Sequence, residues 1–557
     1  MLAQSSHGLW ATLAIVHTLL LSALLSGLHE DARPVAMHDL RLGGGERLRC
    51  VSYAPFHHPG QTPFIEGVVI ERQQIEADLG ALVKITDCVR LYSVDTGLDQ
   101  VPALARALGL KVLLGAWVGR DADKNTRELD RALALANAYP DVVRALIVGN
   151  EVLLRRERTV EEMRALLAYA RARSAVPVTY AEVWEFWLEN DTLAEAVDFV
   201  TVHILPFWED EPVDIEQALA HVADTHARVD AHFRGKPILI GETGWPSAGR
   251  QRKESRPSRV NQARYIREFV HQAHAQGWDY NLIEAIDQPW KRHLEGTVGG
   301  YWGMLAAGSL APKFPLAGPV AERDSIAPPL SGAAMGVGLA LIMFGCGRRE
   351  SPRQTLRALA AMLAGASTGL VAVLHFEHAL LAYRDAIEWI SLGTVALAAV
   401  LTAMLFARWD GTPLPAADLG WRNAKGKNGG KNDGINDEST KYSHAVADLL
   451  AILRGFTLFA AAAAALLLVA SDRYRDFPTL LYLTPAAIHG VIGWRRGTHF
   501  SRAEKACAIF IAFGVIGRWL PEPANPQAIA WLLTGLALAL PVFPAILRAG
   551  SSPRPAS

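Results

Sequence analysis

Long, nearly uncharged apolar runs are the feature that most constrains how this chain can fold. A helix of about 20 apolar residues crosses the ~30 Å hydrocarbon core of a membrane, and inside that core the backbone must satisfy its own hydrogen bonds. Soluble cores do not supply so many such runs in succession. The sequence therefore predicts membrane-spanning helices, of which the sixth and seventh are short, at 8–28, 328–346, 356–375, 387–406, 448–470, 478–494, 504–519 and 527–547.

The region between the first two runs has a different composition. From about Arg33 it mixes charged and apolar residues like a soluble domain, although half of the whole chain is hydrophobic and only 20% is charged. A polar, Gly/Asn/Lys-rich stretch farther along predicts a disordered cytoplasmic loop. We therefore expect an N-terminal anchor or signal segment (1–32), a soluble domain (33–311), a proline-rich linker (312–327) and a transmembrane domain of about seven helices (328–557) that contains the loop (409–444).

Lysine and arginine are distributed unevenly among the loops that would join these helices. They concentrate around 348–357, 408–441, 495–505 and 548–554, whereas the intervening loops hold few. By the positive-inside rule the rich loops are cytoplasmic, which puts the soluble domain outside and both termini inside. No basic residue precedes the first run and no clear cleavage site follows it, so an uncleaved anchor is favoured over a removed signal peptide.

The net charge of −1 argues against nucleic acid as a partner, because nucleic-acid binding needs a basic surface. No cofactor is expected, and no Cys/His spacing indicates a metal site. Cys50 and Cys88 stand at the starts of two neighbouring predicted strands. An exported domain could oxidise them to a disulfide, but two thiols on adjacent strands are more often simply buried.

Within the soluble domain, short apolar β-rich runs alternate with amphipathic helical segments. Near-continuous apolar strands separated by helices predict parallel strands that are buried on both faces. Eight such units in this length match a (β/α)8 TIM barrel, so the expected fold class is α/β, a barrel followed by an all-α transmembrane bundle. The predicted strands are 50–56, 88–93, 111–119, 145–151, 177–184, 199–208, 237–245 and 282–290.

Polar and aromatic side chains collect at the C-terminal ends of these strands. In a barrel, these ends surround the active site. A doubly wound sheet would also place such residues there, but it would normally show a Gly-rich phosphate turn after an early strand, and none appears. The candidate site residues are Tyr53, Arg90, Tyr92, Asn150, Glu151, Trp184, His203, Glu242, Trp245, Asp287 and Trp290.

Two of these residues are glutamates at matching positions. Glu151 ends the fourth predicted strand and Glu242 the seventh, so their carboxyls can face each other across the barrel mouth. Paired carboxylates across a cleft suit glycoside hydrolysis: one protonates the departing sugar oxygen, and the other attacks the anomeric carbon or activates water. The surrounding tryptophans and tyrosines fit this chemistry, because sugar rings stack their C–H faces on aromatic rings.

The same residues carry a resemblance to a known family. The segments "VGNEVL" (148–153) and "GETGWPSAG" (241–249) resemble the acid/base and nucleophile motifs of glycoside hydrolase family 17, the β-1,3-glucanases and β-1,3-glucan transglycosylases. "VRLYSVD", "GAWVG" and "EAIDQPWK" followed by "EGTVGGYWGML" resemble its fungal and bacterial branches. The resemblance covers roughly 49–305. With its membrane half, the chain is similar to bacterial inner-membrane proteins of β-(1,3)/(1,6)-glucan synthesis.

By that resemblance, Glu151 is the general acid/base and Glu242 the nucleophile of a retaining mechanism. Asn150 binds the 2-hydroxyl of the transferred sugar, Arg90 keeps the nucleophile ionised, and Trp290 forms a platform under the same sugar. Because Glu151 must be protonated near neutral pH, its pocket is expected to raise its pKa.

The sixth predicted strand departs from the plant members of that family. Plant members have Asn-x-Tyr-Pro-Tyr-Phe there, whereas this chain has His203-Ile204-Leu205-Pro206-Phe207-Trp208. The tyrosine hydroxyls are missing and His203 stands in place of the Asn. The plant pattern of substrate contacts is therefore in doubt, and His203 becomes a candidate contact.

The resulting expectation is a retaining enzyme on β-glucan at the periplasmic face of a bacterial inner membrane. Transglycosylation and hydrolysis share one covalent intermediate, and an endo- or exo-β-1,3-glucanase is the alternative. Transfer is favoured because a membrane tether suits remodelling of a chain as it leaves a glucan synthase partner. It is also favoured because four aromatic residues could hold an acceptor: Trp184, Trp187, Phe207 and Trp208. The alternative of another class is a glucan-binding membrane scaffold or transporter.

Overall fold

A computed structural model of the protein describes residues 6–345, 352–417, 436–471, 473–495 and 498–550. The chain divides into a barrel unit and a helical unit. The barrel unit is Pro34–Glu322. The helical unit consists of the residues up to Arg33 and those from Arg323 onward. Helix α1, Ser6–Asp31, begins the helical unit.

Eight parallel strands close into a barrel in the fully described barrel unit, each paired with the next along the chain and the last with the first. This confirms the expected TIM barrel. The strands are β1 Val51–Ser52, β2 Cys88–Arg90, β3 Lys111–Ala116, β4 Val143–Asn150, β5 Val178–Val183, β6 Val200–His203, β7 Ile238–Thr243 and β8 Asp279–Leu282. The helices are α2 Arg72–Leu82, α3 Val101–Leu108, α4 Ala122–Ala138, α5 Val160–Arg171, α6 Trp184–Glu189, α7 Ile215–His232, α8 Arg259–Gln276 and α9 Arg292–Gly299.

Local sequence signals set where the barrel helices begin and end. The Thr159 hydroxyl accepts a hydrogen bond from the backbone N–H of Glu162, and the Thr159 backbone N–H donates to the Glu162 carboxylate in return. These two bonds form a capping box at the start of α5. Ser258 caps the start of α8, and Gly277 ends that helix in the left-handed conformation that glycine adopts at least cost. These helices bury their apolar faces against strands that are buried on both sides.

The last strand lies earlier in the chain than the sequence predicts. The apolar run 282–290 was expected to form it, but β8 is Asp279–Leu282. The strand carries Asp279 at its start, where the carboxylate pairs with Arg144 of β4 at 2.7 Å. Asp287 and Trp290 therefore lie in the segment after the strand rather than at its end.

The proline-rich segment 312–327 is not a linker over most of its length. Val320 pairs with Val35 in an antiparallel bridge, and Phe314 is buried in the barrel core. The Arg267 guanidinium on α8 donates to the backbone oxygen of Gly318 at 2.7 Å. Residues 312–322 therefore belong to the barrel unit, because a buried arginine and apolar contacts hold them there.

Cys50 and Cys88 form a disulfide. Parallel pairing of β1 with β2 sets Val51 opposite Val89, so the cysteines that precede these residues are neighbours. The sequence left two buried thiols as the more common outcome, and the structure instead gives a covalent link between the first two strands.

The helical unit contains eight more helices in its described residues. Six helices in the described chain, α1 among them, are long and apolar enough to cross a membrane. The two short runs, 478–494 and 504–519, form α14 and α15, which are not among the six. The helices are α10 Ala327–Gly345, α11 Pro352–Ala382, α12 Ala386–Arg408, α13 Asn436–Ala470, α14 Thr479–Arg495, α15 Arg502–Trp519, α16 Pro526–Ala539 and α17 Phe543–Gly550.

The predicted cytoplasmic loop 409–444 falls partly on residues 418–435, which lie outside the described part of the chain. The loop prediction is wrong at its C-terminal end, because α13 begins at Asn436 and residues 436–444 are helical.

Candidate active site

Glu151 and Glu242 meet at the C-terminal mouth of the barrel. A carboxylate oxygen of Glu151 and one of Glu242 lie within 4.8 Å of each other, together with a ring nitrogen of His203. Glu242 lies in β7 and Glu151 directly follows β4. In register, His203 of β6 stands opposite Glu242. The barrel thus brings residues from three strands to one point.

The chain after β4 turns sharply to present Glu151. Gly149 has a φ of 83°, and a side chain there would meet Val152 at 2.7 Å, so only glycine fits. Glu151 itself has a φ of 50°, which is uncommon for a residue with a side chain. The buried Glu182 carboxylate stabilises this turn by accepting hydrogen bonds from the backbone N–H groups of Leu153 and Leu154 at 3.0 and 3.3 Å.

Two donors contact the Glu242 carboxylate. The Tyr92 hydroxyl donates to Oε1 at 2.8 Å, and Arg90 Nη1 lies 3.3 Å from the same oxygen. The Arg90 side chain is only 1% exposed and also donates to the Gly241 and Asn150 oxygens, both at 2.6 Å. A buried guanidinium fixed by several acceptors gives a strong charge-assisted contact with the Glu242 carboxylate.

Glu151 has a different set of neighbours. Its Oε1 lies 2.8 Å from His203 Nδ1, and its side chain is 23% exposed, against 6% for Glu242. Burial raises the pKa of Glu151, but the hydrogen bond and charge of His203, with Arg155 and Arg90, outweigh burial and leave it below its usual range. The expectation of a raised pKa at Glu151 is therefore wrong, because the sequence did not reveal that His203 would donate to this carboxylate.

The side-chain NH2 group of Asn150 is available to donate a hydrogen bond to a ligand. Its Oδ1 accepts the bond from Arg90, so the amide is oriented with its NH2 group as the free donor. Asn150 is half-buried beside Glu151. A donor at this position can bind a hydroxyl of a bound sugar.

Several site residues were missed by the sequence. Ser52 Oγ lies 2.8 Å from the Tyr92 hydroxyl and accepts from Asn281 at 2.8 Å, and this pair positions Tyr92. Lys291 lies within 2.9 and 3.0 Å of both Glu284 oxygens, and burial raises the pKa of Glu284 to about 7. The available signal for this cluster was the set of charged residues in the short segment "QPWKRHLEG" after β8, which includes Lys291 and Glu295.

Three predicted contacts do not point into the site. Tyr53 is buried and donates its hydroxyl to Asp78 of α2 at 2.8 Å, because side chains alternate along β1 and Ser52 takes the inward position. Trp245 is completely buried and donates to the Arg256 carbonyl. The buried Asp287 carboxylate is occupied by Lys313 at 2.7 Å.

The remaining aromatic residues divide between core and surface. Trp187 and Phe207 are buried, so they cannot hold an acceptor. Trp184 donates its indole N–H to Glu209 at 3.2 Å and lies under Arg228 of α7. Trp290 is half-buried, and the exposed Phe64 packs edge-on against it at 5.5 Å. A partly exposed pair of rings of this kind suits the face of a sugar.

Two groups of described residues have the geometry to hold a cation. The first is Glu151, His203 and Glu242, where Arg90 already supplies a positive charge. The second is a surface cluster on the barrel unit formed by His38, Glu46 and His271.

Comparison with known proteins defines the class of this barrel. Residues 50–303 match the family model of the BtgE/BtgC glycoside hydrolase domain. The barrel therefore resembles a glycoside hydrolase domain, and this match supports an enzyme of that class.

Curated relatives extend the comparison. The barrel is 25% identical over 269 residues to a glucan 1,3-beta-glucosidase of Saccharomyces cerevisiae, covering 43% of this chain and 84% of the relative. A glucan 1,3-beta-glucosidase of Arthroderma benhamiae is 28% identical over 45% of this chain and 86% of its own length. For the glucan endo-1,3-beta-glucosidase btgC of Emericella nidulans the identity is 26%, over 40% of this chain but only 38% of that protein.

Among solved structures, a glycoside hydrolase family 17 beta-1,3-glucanosyltransferase from Rhizomucor miehei is 25% identical. It covers 48% of this chain and 97% of its own chain, with a TM-score of 0.42. With the family model and the curated relatives, the resemblance of the sequence to family 17 is confirmed. The relatives named here are fungal, so a bacterial branch remains a prediction.

Proposed function

We propose that this protein is a retaining glycosidase on β-1,3-glucan with Glu242 as nucleophile and Glu151 as acid/base. The observation that carries the proposal is the short separation of the two carboxylates, since one oxygen of each lies within 4.8 Å of the other. Retaining glycosidases hold their carboxyl groups about 5–5.5 Å apart, whereas inverting enzymes need about 6.5–9.5 Å to admit a water. The substrate is inferred from the relatives, which are named for action on β-1,3-glucan.

The different surroundings of the two carboxylates support their assignment. Glu242 accepts from Tyr92 and Arg90 and is almost enclosed, as suits an ionised group that attacks the anomeric carbon. Glu151 is the more exposed of the two, so it can reach the oxygen of a departing sugar. The Asn150 NH2 group is proposed to bind the 2-hydroxyl, and Trp290 to stack under the ring.

Transglycosylation is proposed as the main outcome. The glycosyl-enzyme waits for either water, at about 55 M, or a sugar hydroxyl, and an oriented acceptor reaches an effective molarity of roughly 10⁵ M or more. With Trp187 and Phe207 buried, the acceptor surface reduces to Trp184 and Trp208, which are half-buried. A membrane tether beside a glucan synthase also suits transfer to a growing chain better than degradation.

The location proposed is a bacterial inner membrane, with the barrel on the periplasmic side. Six helices of sufficient length and hydropathy and the uneven distribution of Lys and Arg support this location. The Cys50–Cys88 disulfide is a third and independent support, because disulfides persist in oxidising compartments.

Product sizing tests the proposed reaction. The full-length protein in detergent is incubated with a short β-1,3-glucan oligosaccharide, and products are separated by chain length. We expect products longer than the substrate, and none with the Glu242→Gln variant. A Glu216→Gln variant, altered at an exposed ion pair with Arg264 between α7 and α8, serves as the control. If only shorter products form at high substrate concentration, the enzyme is a hydrolase; if the oligosaccharide is untouched, the proposed substrate is wrong.

A further inference from the structure

His203 lies between the two carboxylates. Its side chain is completely buried, with Nδ1 at 2.8 Å from Glu151 Oε1 and Nε2 at 3.7 Å from Glu242 Oε1. The ring has room because Gly241 has no side chain: a Cβ there would come within 3.1 Å of it. A ring so enclosed leaves no surface for a sugar, so His203 is not the substrate contact that the sequence suggested.

The neighbours of the ring determine which nitrogen carries its proton. Arg90 Nη1 lies 3.5 Å from Nε2, and a guanidinium can only donate. Nε2 is therefore the acceptor, and the proton of the neutral ring sits on Nδ1, where it donates to Glu151 Oε1. Because Oε1 is occupied by this donor, the proton that Glu151 delivers has to sit on its other oxygen, Oε2.

We propose that His203 is a positioning residue that directs the Glu151 proton to Oε2 and stabilises the Glu151 carboxylate whenever that proton has left. The proposal rests on the proposed function and deepens it, since it assigns how the acid/base is controlled. No other proton donor has a hydrogen bond to a Glu151 carboxylate oxygen among the contacts of the described residues.

The proton balance of the reaction fits this arrangement. In the first half, the Glu242 carboxylate bonds to the anomeric carbon, the bond to the departing sugar oxygen breaks, and the Oε2 proton moves to that oxygen. In the second half, an acceptor hydroxyl gives its proton to Oε2, its oxygen bonds to the anomeric carbon, and the ester to Glu242 breaks. His203 keeps its own proton throughout and holds Glu151 in place as the charge on that carboxylate changes.

Other charged groups surround the His203–Glu151 pair, but they lie farther from Glu151 or contact Glu242 instead. Arg155 and Arg90 attract the Glu151 charge, and Glu182 and Glu295 oppose it. The remaining close carboxylate is Glu242, which Arg90 and Tyr92 contact directly. The hydrogen bond from Nδ1 is therefore the contact whose removal changes Glu151 most.

A pH profile of the full-length protein tests the role of His203. The His203→Leu variant, which is of similar size but removes the N–H donor to Glu151 Oε1, is compared with wild type. The control is His232→Leu, since His232 pairs with Asp191 at 3.2 Å on the exposed surface of the barrel. The basic limb of kcat/KM reports the loss of the Glu151 proton. Without the histidine, burial of Glu151 dominates, so this limb should move to higher pH by about one unit, while the control should not shift.

A second measurement separates control of the acid from a loss of folding. An aryl β-1,3-glucan oligosaccharide with a strongly activated leaving group needs no proton from Glu151. On this substrate His203→Leu should keep most of the wild-type glycosylation rate, whereas on an unactivated oligosaccharide its rate should fall more than tenfold at the pH where wild-type kcat/KM is highest. Equal losses on both substrates with an unshifted basic limb would overturn the role of His203. Inactivity of the wild type on every β-1,3-glucan would instead reject the proposed function.

Discussion

At the scale of single residues, the two carboxylates of the site differ in the hydrogen-bond donors that contact them. Glu242 is the more deeply buried, yet Arg90 and Tyr92 surround it with donors. Glu151 depends on a single close contact with His203. A glycosidase needs one carboxylate that is ionised and one that exchanges a proton, and this difference in donors fits the roles proposed for Glu242 and Glu151.

Tyr53 illustrates how a residue of the right type can serve the fold instead of the site. Its hydroxyl donates to Asp78, and the same carboxylate lies 3.0 Å from His57 Nε2 in a network that is almost free of solvent. We expect Tyr53→Phe to lower the free energy of unfolding by about 1–3 kcal/mol, because a buried acceptor loses its donor. The KM for β-1,3-glucan should stay unchanged.

Denaturant unfolding and steady-state kinetics of the full-length protein measure these two effects. Tyr169→Phe is a matched control, since the Tyr169 hydroxyl donates to Asp130 at 2.7 Å on the exposed surface, and its effect on stability should be small. If Tyr53→Phe raised the KM and left the stability unchanged, Tyr53 would be a substrate contact and the structural role would be wrong.

At the scale of elements, the barrel strands that carry the two glutamates were predictable. The apolar runs that became β4 and β7 lead straight into Asn150–Glu151 and Glu242, so sequence alone located the pair. The inward or outward direction of individual side chains was less predictable in β1, which has only two residues. A strand that short gives no alternating pattern from which to tell Ser52 from Tyr53.

The segment after β8 was the largest error in the barrel. The run 282–290 is more apolar than Asp279–Leu282, so hydrophobicity placed the strand too late. Pairing with β7 sets the position of β8, because Leu239 and Ile240 of β7 pair with Asp279 and Tyr280. Pairing partners distant in sequence were not visible in the local pattern, so Asp287 was expected at a strand end.

Close packing of α10 on α11 is an element-scale feature of the helical unit. Gly332 and Gly336 on α10 face Gly365 and Gly369 on α11, and a Cβ on Gly336 would lie 2.0 Å from the Gly365 oxygen. Glycines four residues apart on both helices let the backbones touch, as in associating membrane helices. This packing is a property of the helical unit that its hydropathy alone did not reveal.

At the scale of the whole molecule, two observations predict the cellular compartment of the barrel: the Cys50–Cys88 disulfide and the apolar helices. If the barrel is exported, Cys50 and Cys88 should be oxidised in the cell. Intact cells are quenched with acid to trap the thiol state, and the protein is labelled with a thiol-reactive polymer with and without prior reduction. The reduced sample should therefore carry two more labels than the unreduced sample. A Cys50→Ser, Cys88→Ser double variant, which lacks both thiols, should gain none.

Alkylation of both cysteines before reduction would place the barrel in a reducing compartment. It would contradict the periplasmic location, whatever the activity of the enzyme. Thiols elsewhere in the chain, such as Cys507, react equally in the double variant and are subtracted.

The central claim is that Glu242 forms a covalent bond with the transferred sugar, and mass spectrometry of the trapped enzyme tests it most directly. The full-length protein is incubated with a β-1,3-glucan oligosaccharide donor that carries fluorine at C2 of the reacting sugar and an activated leaving group, which slows breakdown of the ester. We expect one glycosyl adduct, on the peptide that contains Glu242, and none in the Glu242→Gln variant. Turnover of β-1,3-glucan with inversion and without an adduct, or an adduct on another residue, would contradict the account.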